Sequence, residues 1–288
     1  MGILFALIAL LSWGVGDFLI QRSTRRLGDL NALLCITLFA GIVLFPFIAH
    51  DIPALFTTAH RGLFILLLAS TILLFVSVIN FEALRIGKIS VIEPIYALEV
   101  PITATLAASV IREFLTTQQT LLIFSLMVGL ILVSIRSFTH MKRIHLEKGV
   151  AYAVLATVGM GVVNFFFGWG SRETSPLLIN WFTSSFIAVL VLLYFLFTGR
   201  MKNFAQSFRT NKGLILGVSV IDNLAWVSYS YSTLFIPIAI ATGLTESYIV
   251  LAAALGFLIN KEKLNTHQLI GFVIAIVSAV VLAFVTRG

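Results

Sequence analysis

Arg112-Glu113-Phe114-Leu115-Thr116-Thr117-Gln118-Gln119 returns 149 residues later as Lys261-Glu262-Lys263-Leu264-Asn265-Thr266-His267-Gln268. Glu, Leu, Thr and Gln are identical at alternate places, and the flanks follow suit, so the hairpin over 89–119 is written again over 238–268. Self-similarity at a fixed offset is the mark of a duplication. If each copy holds an odd number of transmembrane helices, the second enters the bilayer upside down, as in many secondary transporters.

The composition supports a membrane setting. Hydrophobic residues make up 59% of the 288, charged residues 11%, and mean hydropathy is +1.06; a soluble domain has about 45–50% apolar residues. Windows of about 20 apolar residues, enough to cross a hydrocarbon core, recur ten times, near 2–21, 30–49, 62–80, 89–110, 118–138, 149–170, 176–197, 213–235, 238–259 and 269–285. The expected fold is therefore an all-α integral membrane protein, with ten transmembrane helices as two inverted five-helix repeats. The repeats divide at 1–145 and 146–288 and together form one transport domain. The first window is read as a helix rather than a signal peptide, because Met1-Gly2 has no basic n-region.

Connections of about 15 residues or fewer leave no room for a soluble catalytic domain. The single cysteine, Cys35, excludes an internal disulfide or a thiolate cluster and is read as a packing or lipid-facing residue. His50, His60, His140, His145 and His267 lie in or beside loops, without metal-ligand spacing, and are expected to be solvated. No P-loop, catalytic triad or zinc motif is present, so neither a metal nor a cofactor is expected.

The net charge of +7 is organised by position. Fifteen of the 19 Lys and Arg fall in the loops after odd-numbered spans, and only Arg61, Arg112, Arg172 and Arg287 lie on the other side. By the positive-inside rule, the odd-numbered loops are cytoplasmic and both termini lie outside a plasma membrane. The basic clusters then set topology and touch lipid headgroups; no nucleic-acid partner is expected.

Several short motifs recur in order: Trp13-Gly14, Phe81-Glu82-Ala83-Leu84, Glu93-Pro94 with Pro101, and Arg112-Glu113-Phe114-Leu115-Thr116. The second half answers with Tyr231-Ser232-Thr233-Leu234 and Lys261-Glu262-Lys263-Leu264-Asn265. With these motifs the chain resembles the ten-helix EamA-type members of the drug/metabolite transporter superfamily, along nearly its whole length. The resemblance implies paired four-helix cores around a central cavity, peripheral fifth and tenth helices, and movement of small metabolites by alternating access. It implies no particular substrate. Val250 stands where the first repeat has Pro101, which argues against the fourth and ninth spans bending alike.

Carboxylates at membrane depth cost about 2.5–3.5 kcal/mol on insertion scales unless a cavity or partner receives them. Asp17, Glu93, Glu99, Asp222 and Glu246 are such residues; Glu93 lies close to Lys88 at the start of its span, and the other four are each a candidate for substrate binding and proton coupling. On the first span Trp13, Asp17 and Gln21 form one ridge at i, i+4, i+8, with Asn164 at the position equivalent to Asp17 in the sixth. Tyr96 and Glu99 share a face of the fourth span, where Pro94 and Pro101 are expected to kink the helix. Asp222, Trp226 and Tyr229 share a stripe of the eighth, and Thr242 and Glu246 an arc of the ninth. An acid beside an aromatic ring suits a cationic or ring-bearing ligand. Each of these polar residues also has a plainer reading, an interhelical hydrogen bond that fixes packing. The repeated Arg112-Glu113 pair is read as structural, capping the turn that follows.

The expected function is transport of small organic metabolites, cationic or zwitterionic such as amino acids, with export favoured. No enzymatic activity is expected, since no pair of catalytic carboxylates can be placed within mutual reach. The alternative is translocation or binding of a lipid-linked head group, or service as a non-transporting assembly partner. One chain holds enough helices to enclose a cavity, so a monomer suffices, and a homodimer is compatible with the sequence.

Overall fold

The structure is a computed structural model and describes residues 1–57, 60–88, 92, 95–135, 149–251 and 265–286. Among the described residues twelve helices run in chain order: α1 (Gly2–Leu27), α2 (Asp29–Ile48), α3 (Ile52–Thr57), α4 (His60–Ile86), α5 (Glu99–Val110), α6 (Thr117–Ser134), α7 (Val150–Glu173), α8 (Pro176–Phe197), α9 (Met201–Thr210), α10 (Lys212–Ser232), α11 (Ile238–Glu246) and α12 (Thr266–Val285). Eight of these are long and apolar enough to cross a membrane, and α5 and α11 are shorter apolar helices belonging to the fourth and ninth expected spans. Glu93, Pro94 and the Lys261-Glu262-Lys263 run lie outside the described residues, and with them the kink expected at Pro94.

Side-chain placement follows the solvent expected for such a chain. Leu4, Leu7, Leu11, Val15 and Phe18 form an exposed stripe on α1, while Ala6, Ala9, Ser12, Gly16 and Gln21 are buried. In water that stripe would be a large apolar patch in need of a cover; in a bilayer the acyl chains supply it, and small and polar groups are left to pack inward.

The duplication governs the packing. α1 lies along α10 and α7 lies along α4; α5 packs on α7 and α11 on α1; α2 touches α10 and α8 touches α4. Exchanging the two repeats turns each of these pairings into the other, and it maps α2–α8, α6–α12 and α5–α11 onto themselves. This is a pseudo-twofold arrangement. α6 and α12 form the closest pair: a Cβ at Gly129 would lie 2.6 Å from the backbone nitrogen of Ala275, so only glycine permits the approach.

The repeated segment at the start proves to be two copies of one capping device. Thr116 Oγ1 accepts from Gln119 N at 3.2 Å while Gln119 Oε1 accepts from Thr116 N at 3.0 Å. The same reciprocal box is formed by Asn265 and Gln268 at the start of α12, so both peripheral helices begin with two otherwise orphaned N–H groups satisfied. Just upstream, Arg112 adopts φ 57° and Glu113 N–H reaches back to Ala107 O at 3.0 Å, closing α5 with a left-handed cap.

Three expectations need amendment. The loops after the second and seventh spans contain the short helices α3 and α9. In α9, Phe204 recurs three residues after Met201 and packs against Leu27, Cys35 and Ile215, enough apolar periodicity for a surface helix. His267 is half-buried in the first turn of α12, one ring nitrogen 2.6 Å from Ile135 O, because the capping box draws this turn against the end of α6. It is not a solvated loop residue. Finally, the fourth and ninth spans are interrupted at equivalent places although only one has a proline there, as the site makes clear.

Candidate functional site

Pro101 stands in the first turn of α5, where its missing N–H leaves no hydrogen bond unmade. Its ring cannot coexist with a helical carbonyl one turn earlier, and the chain at Ala97 and Leu98 is a turn, with Leu98 N–H bonded to Ile95 O at 3.1 Å. In the other repeat, Ser247 interrupts the helix by different chemistry. Its hydroxyl donates to Gly243 O at 3.0 Å, and its own N–H and that of Val250 make i→i−3 bonds. Glu99 follows the first break and Glu246 immediately precedes the second. α5 packs on α11, and the two carboxylates lie near enough for their charges to interact. Irregular backbone at membrane depth is tolerated where it is buried in protein or borders a cavity.

A cavity lies at this junction, between the two repeats. Of the ten binding candidates read from the sequence, Trp13, Asp17, Tyr96, Glu99, Asn164, Asp222, Trp226 and Glu246 line it. They come from α1, the helical residue Tyr96 just ahead of the turn at 97–98, α5, α7, α10 and α11, so both halves contribute. Tyr229 and Thr242 are fully buried behind the wall. The Tyr229 hydroxyl donates to Asn164 O at 3.0 Å and lies 2.9 Å from Thr242 Oγ1, so this pair locks α7 to α10 and α11. Gln21 leaves the expected ridge as well: its amide donates to Leu84 O at 2.9 Å and Gly87 O at 3.3 Å, holding the end of α4.

The acids are held by specific donors. Asn164 Nδ2 donates to Glu99 Oε2 at 2.8 Å, and Tyr248 OH donates to Asp17 Oδ2 at 2.9 Å, each bond joining the two repeats. Tyr96 OH donates to Asn80 Oδ1. Gly161 permits the approach that the first of these requires. A Cβ there would stand 2.7 Å from Ile102 Cβ and 3.0 Å from Glu99 O, while Thr103 Oγ1 donates to Gly161 O at 2.9 Å.

Aromatic rings complete one side. Trp13 meets Trp226 edge-on at 5.2 Å between ring centroids, and Trp226 packs on Phe167 at 4.5 Å. Such contacts position a ring face beside Asp17 and Asp222, where a cation or a flat ligand would be received.

Sequence reasoning missed the side supplied by α2, α4 and α8. Thr37, Ser77, Asn180, Thr183 and Ser184 line the cavity there. The signal was present in Asn180, Thr183 and Ser184, spaced to share one face of the seventh span.

The sequence matches the EamA-like transporter family over residues 1–135 and again over 147–284. No curated protein matches the chain in sequence. Among solved structures, a crystal structure titled only as that of a protein superposes with a TM-score of 0.69 at 13% identity, covering 99% of this chain and 97% of that one; the likeness is one of fold. Two family matches that together span the chain, the paired repeats and a polar cavity between them lead to one assignment: the chain belongs to the EamA-like transporter family, within the drug/metabolite transporter superfamily, and is a multi-pass membrane transporter rather than an enzyme.

Proposed function

We propose that the protein carries small organic cations or zwitterions across the plasma membrane by alternating access, the two repeats rocking about the cavity they share. The observation that carries this reading is the joining of four carboxylates from both repeats in one cavity: Glu99 and Glu246 beside two helix breaks, and Asp17 and Asp222 on the continuous helices α1 and α10. Attached to the moving halves, such groups change their surroundings whenever the halves exchange, which is what coupling of ligand to conformation requires.

We take the direction to be efflux, and the carboxylates to exchange protons as well as ligand. Saturable counterflow of a labelled panel of amines and amino acids into liposomes holding this chain alone tests the transport reading. If Asp17→Asn, Glu99→Gln, Asp222→Asn and Glu246→Gln all leave the response to a pH gradient unchanged, the proton role is wrong. Single chains in nanodiscs that exchange ligand as dimers do would support the monomer as the functional unit. Fifteen cations lie at the ends of the odd-numbered spans or in the loops after them, and by the positive-inside rule we take both termini to lie outside the cytoplasm. Paired fluorescent and periplasmic-enzyme fusions at the C-terminus should report the enzyme active and the fluorophore dark.

A further inference from the structure

The charged side chains among the described residues of the cavity lining are all acidic, and this narrows the ligand. Asp17, Glu99, Asp222 and Glu246 line it, the charge of Asp17 interacting with those of Asp222 and Glu99, and Glu99 with Glu246. No Lys, Arg or His stands among the described residues of the lining. Three arginines in the last turns of α1, α4 and α7 are occupied. Arg25 donates to the Arg85 and Gly87 carbonyls, Arg85 pairs with Glu82 and Asp29, and Arg172 pairs with Glu113.

Four of the uncharged lining groups lean the same way. Thr37 Oγ1 donates to Leu33 O at 2.8 Å and Thr183 Oγ1 to Ile179 O at 2.8 Å. Asn180 Nδ2 uses its hydrogens on Pro176 O at 2.7 Å and Ser230 Oγ at 2.8 Å, and Asn223 Nδ2 on Ser219 O at 2.8 Å and Ile36 O at 3.1 Å. A hydroxyl that has given its only hydrogen, and an amide whose NH2 is fully engaged, can offer a ligand only acceptor oxygens. These four side chains therefore present acceptors, as the four carboxylates do.

Resting on the transport reading, we propose that the cavity selects organic cations bearing further N–H or O–H donors and no carboxylate, such as amines and guanidines, in preference to the corresponding α-amino acids. An ammonium or guanidinium is donor-only and meets acceptors on both sides. A ligand carboxylate is acceptor-only: it would be brought beside like charges, with no cation among the described residues of the wall to receive it. Close like-charge contact in a partly screened site corresponds to roughly tenfold or more in affinity.

The test is a matched competition series in proteoliposomes containing the full chain: agmatine, argininamide and arginine; putrescine and ornithine; tyramine and tyrosine. Agmatine, putrescine and tyramine should exchange with saturation, argininamide should follow, and each amino acid should compete about tenfold or more weakly. Asp17→Asn and Asp222→Asn, checked for folding by thermal unfolding, should each shrink the amine-to-amino-acid ratio. Amino acids competing as well as or better than their amines would overturn the selectivity while leaving transport intact, and an unchanged ratio in both variants would equally overturn it. Exchange of no compound above protein-free liposomes, with the protein folded, would overturn the transport reading as well.

Discussion

Arg25 and Arg172, 147 residues apart, do the same work in the two repeats. Arg25, in the last turn of α1, donates to Arg85 O at 3.0 Å and Gly87 O at 2.9 Å, gripping the C-terminal end of α4. Arg172, in the last turn of α7, donates to Thr233 O at 2.7 Å and Ile236 O at 3.1 Å, gripping the end of α10. Each arginine satisfies carbonyls that a helix end leaves orphaned. On the Arg172 side, Glu113 completes the knot, 2.7 Å from Arg172 Nη1 and accepting from Ile238 N at 2.8 Å at the start of α11. A residue of the first repeat is thereby bound to two helices of the second, and through Arg172 to the end of a third.

Arg172→Ala should lower thermal stability, since it leaves the Glu113 carboxylate without its cation and two carbonyls without donors. The expected loss is about 1–3 kcal/mol, read as a lower midpoint in detergent. Arg172→Lys should recover only part, because an ammonium cannot reproduce the planar fork. An alanine variant as stable as the parent would show the knot to be ornamental.

Gly129→Leu should destabilise by about 1–3 kcal/mol through overpacking, because Ala275 N lies 2.6 Å from the position of a Cβ. Counterflow per folded molecule should be little changed, as α6 and α12 stand away from the cavity lining. Normal stability with abolished flux would place the α6–α12 pair inside the transport cycle.

Asn164→Ala and Tyr229→Phe separate the wall from what supports it. The first removes the donor to Glu99 Oε2 and should raise the KM for a cationic ligand about tenfold, one charge-assisted hydrogen bond being worth roughly 1.5–3 kcal/mol. The second removes a hydroxyl behind the wall and should cost about 1 kcal/mol of stability with KM nearly unchanged. The reverse pattern would mean that Tyr229 faces ligand in another conformation.

Trp226→Ala should weaken ring-bearing cations more than aliphatic ones, since it removes the ring that packs on Phe167 and Trp13 beside the acids. A loss of about 0.5–2 kcal/mol in the tyramine-over-putrescine preference is expected. Equal loss for both ligands would assign Trp226 to packing.

Much of this was legible in the sequence. The repeated 112–119 and 261–268 segments gave the duplication, and period and length gave the spans, because hydrocarbon thickness leaves little choice of helix length. The acids were legible for a related reason: a carboxylate at membrane depth is costly anywhere else. Tyr248 and Asp17 could not be paired from sequence, being 231 residues apart with nothing local to announce the bond. Ser247 was illegible as a helix break because a serine in a span ordinarily bonds back without interrupting it. Asn180 and Thr183 drew no reading from the sequence; their meaning for a ligand emerges only once their hydrogens are seen to be engaged.

The most direct test of the central claim is counterflow of labelled agmatine into liposomes containing this chain alone, with and without an imposed pH gradient. Saturable, protein-dependent exchange that Asp17→Asn and Asp222→Asn reduce is the result predicted. Uptake no greater than in protein-free liposomes, from protein that unfolds cooperatively at its normal temperature, would contradict the account.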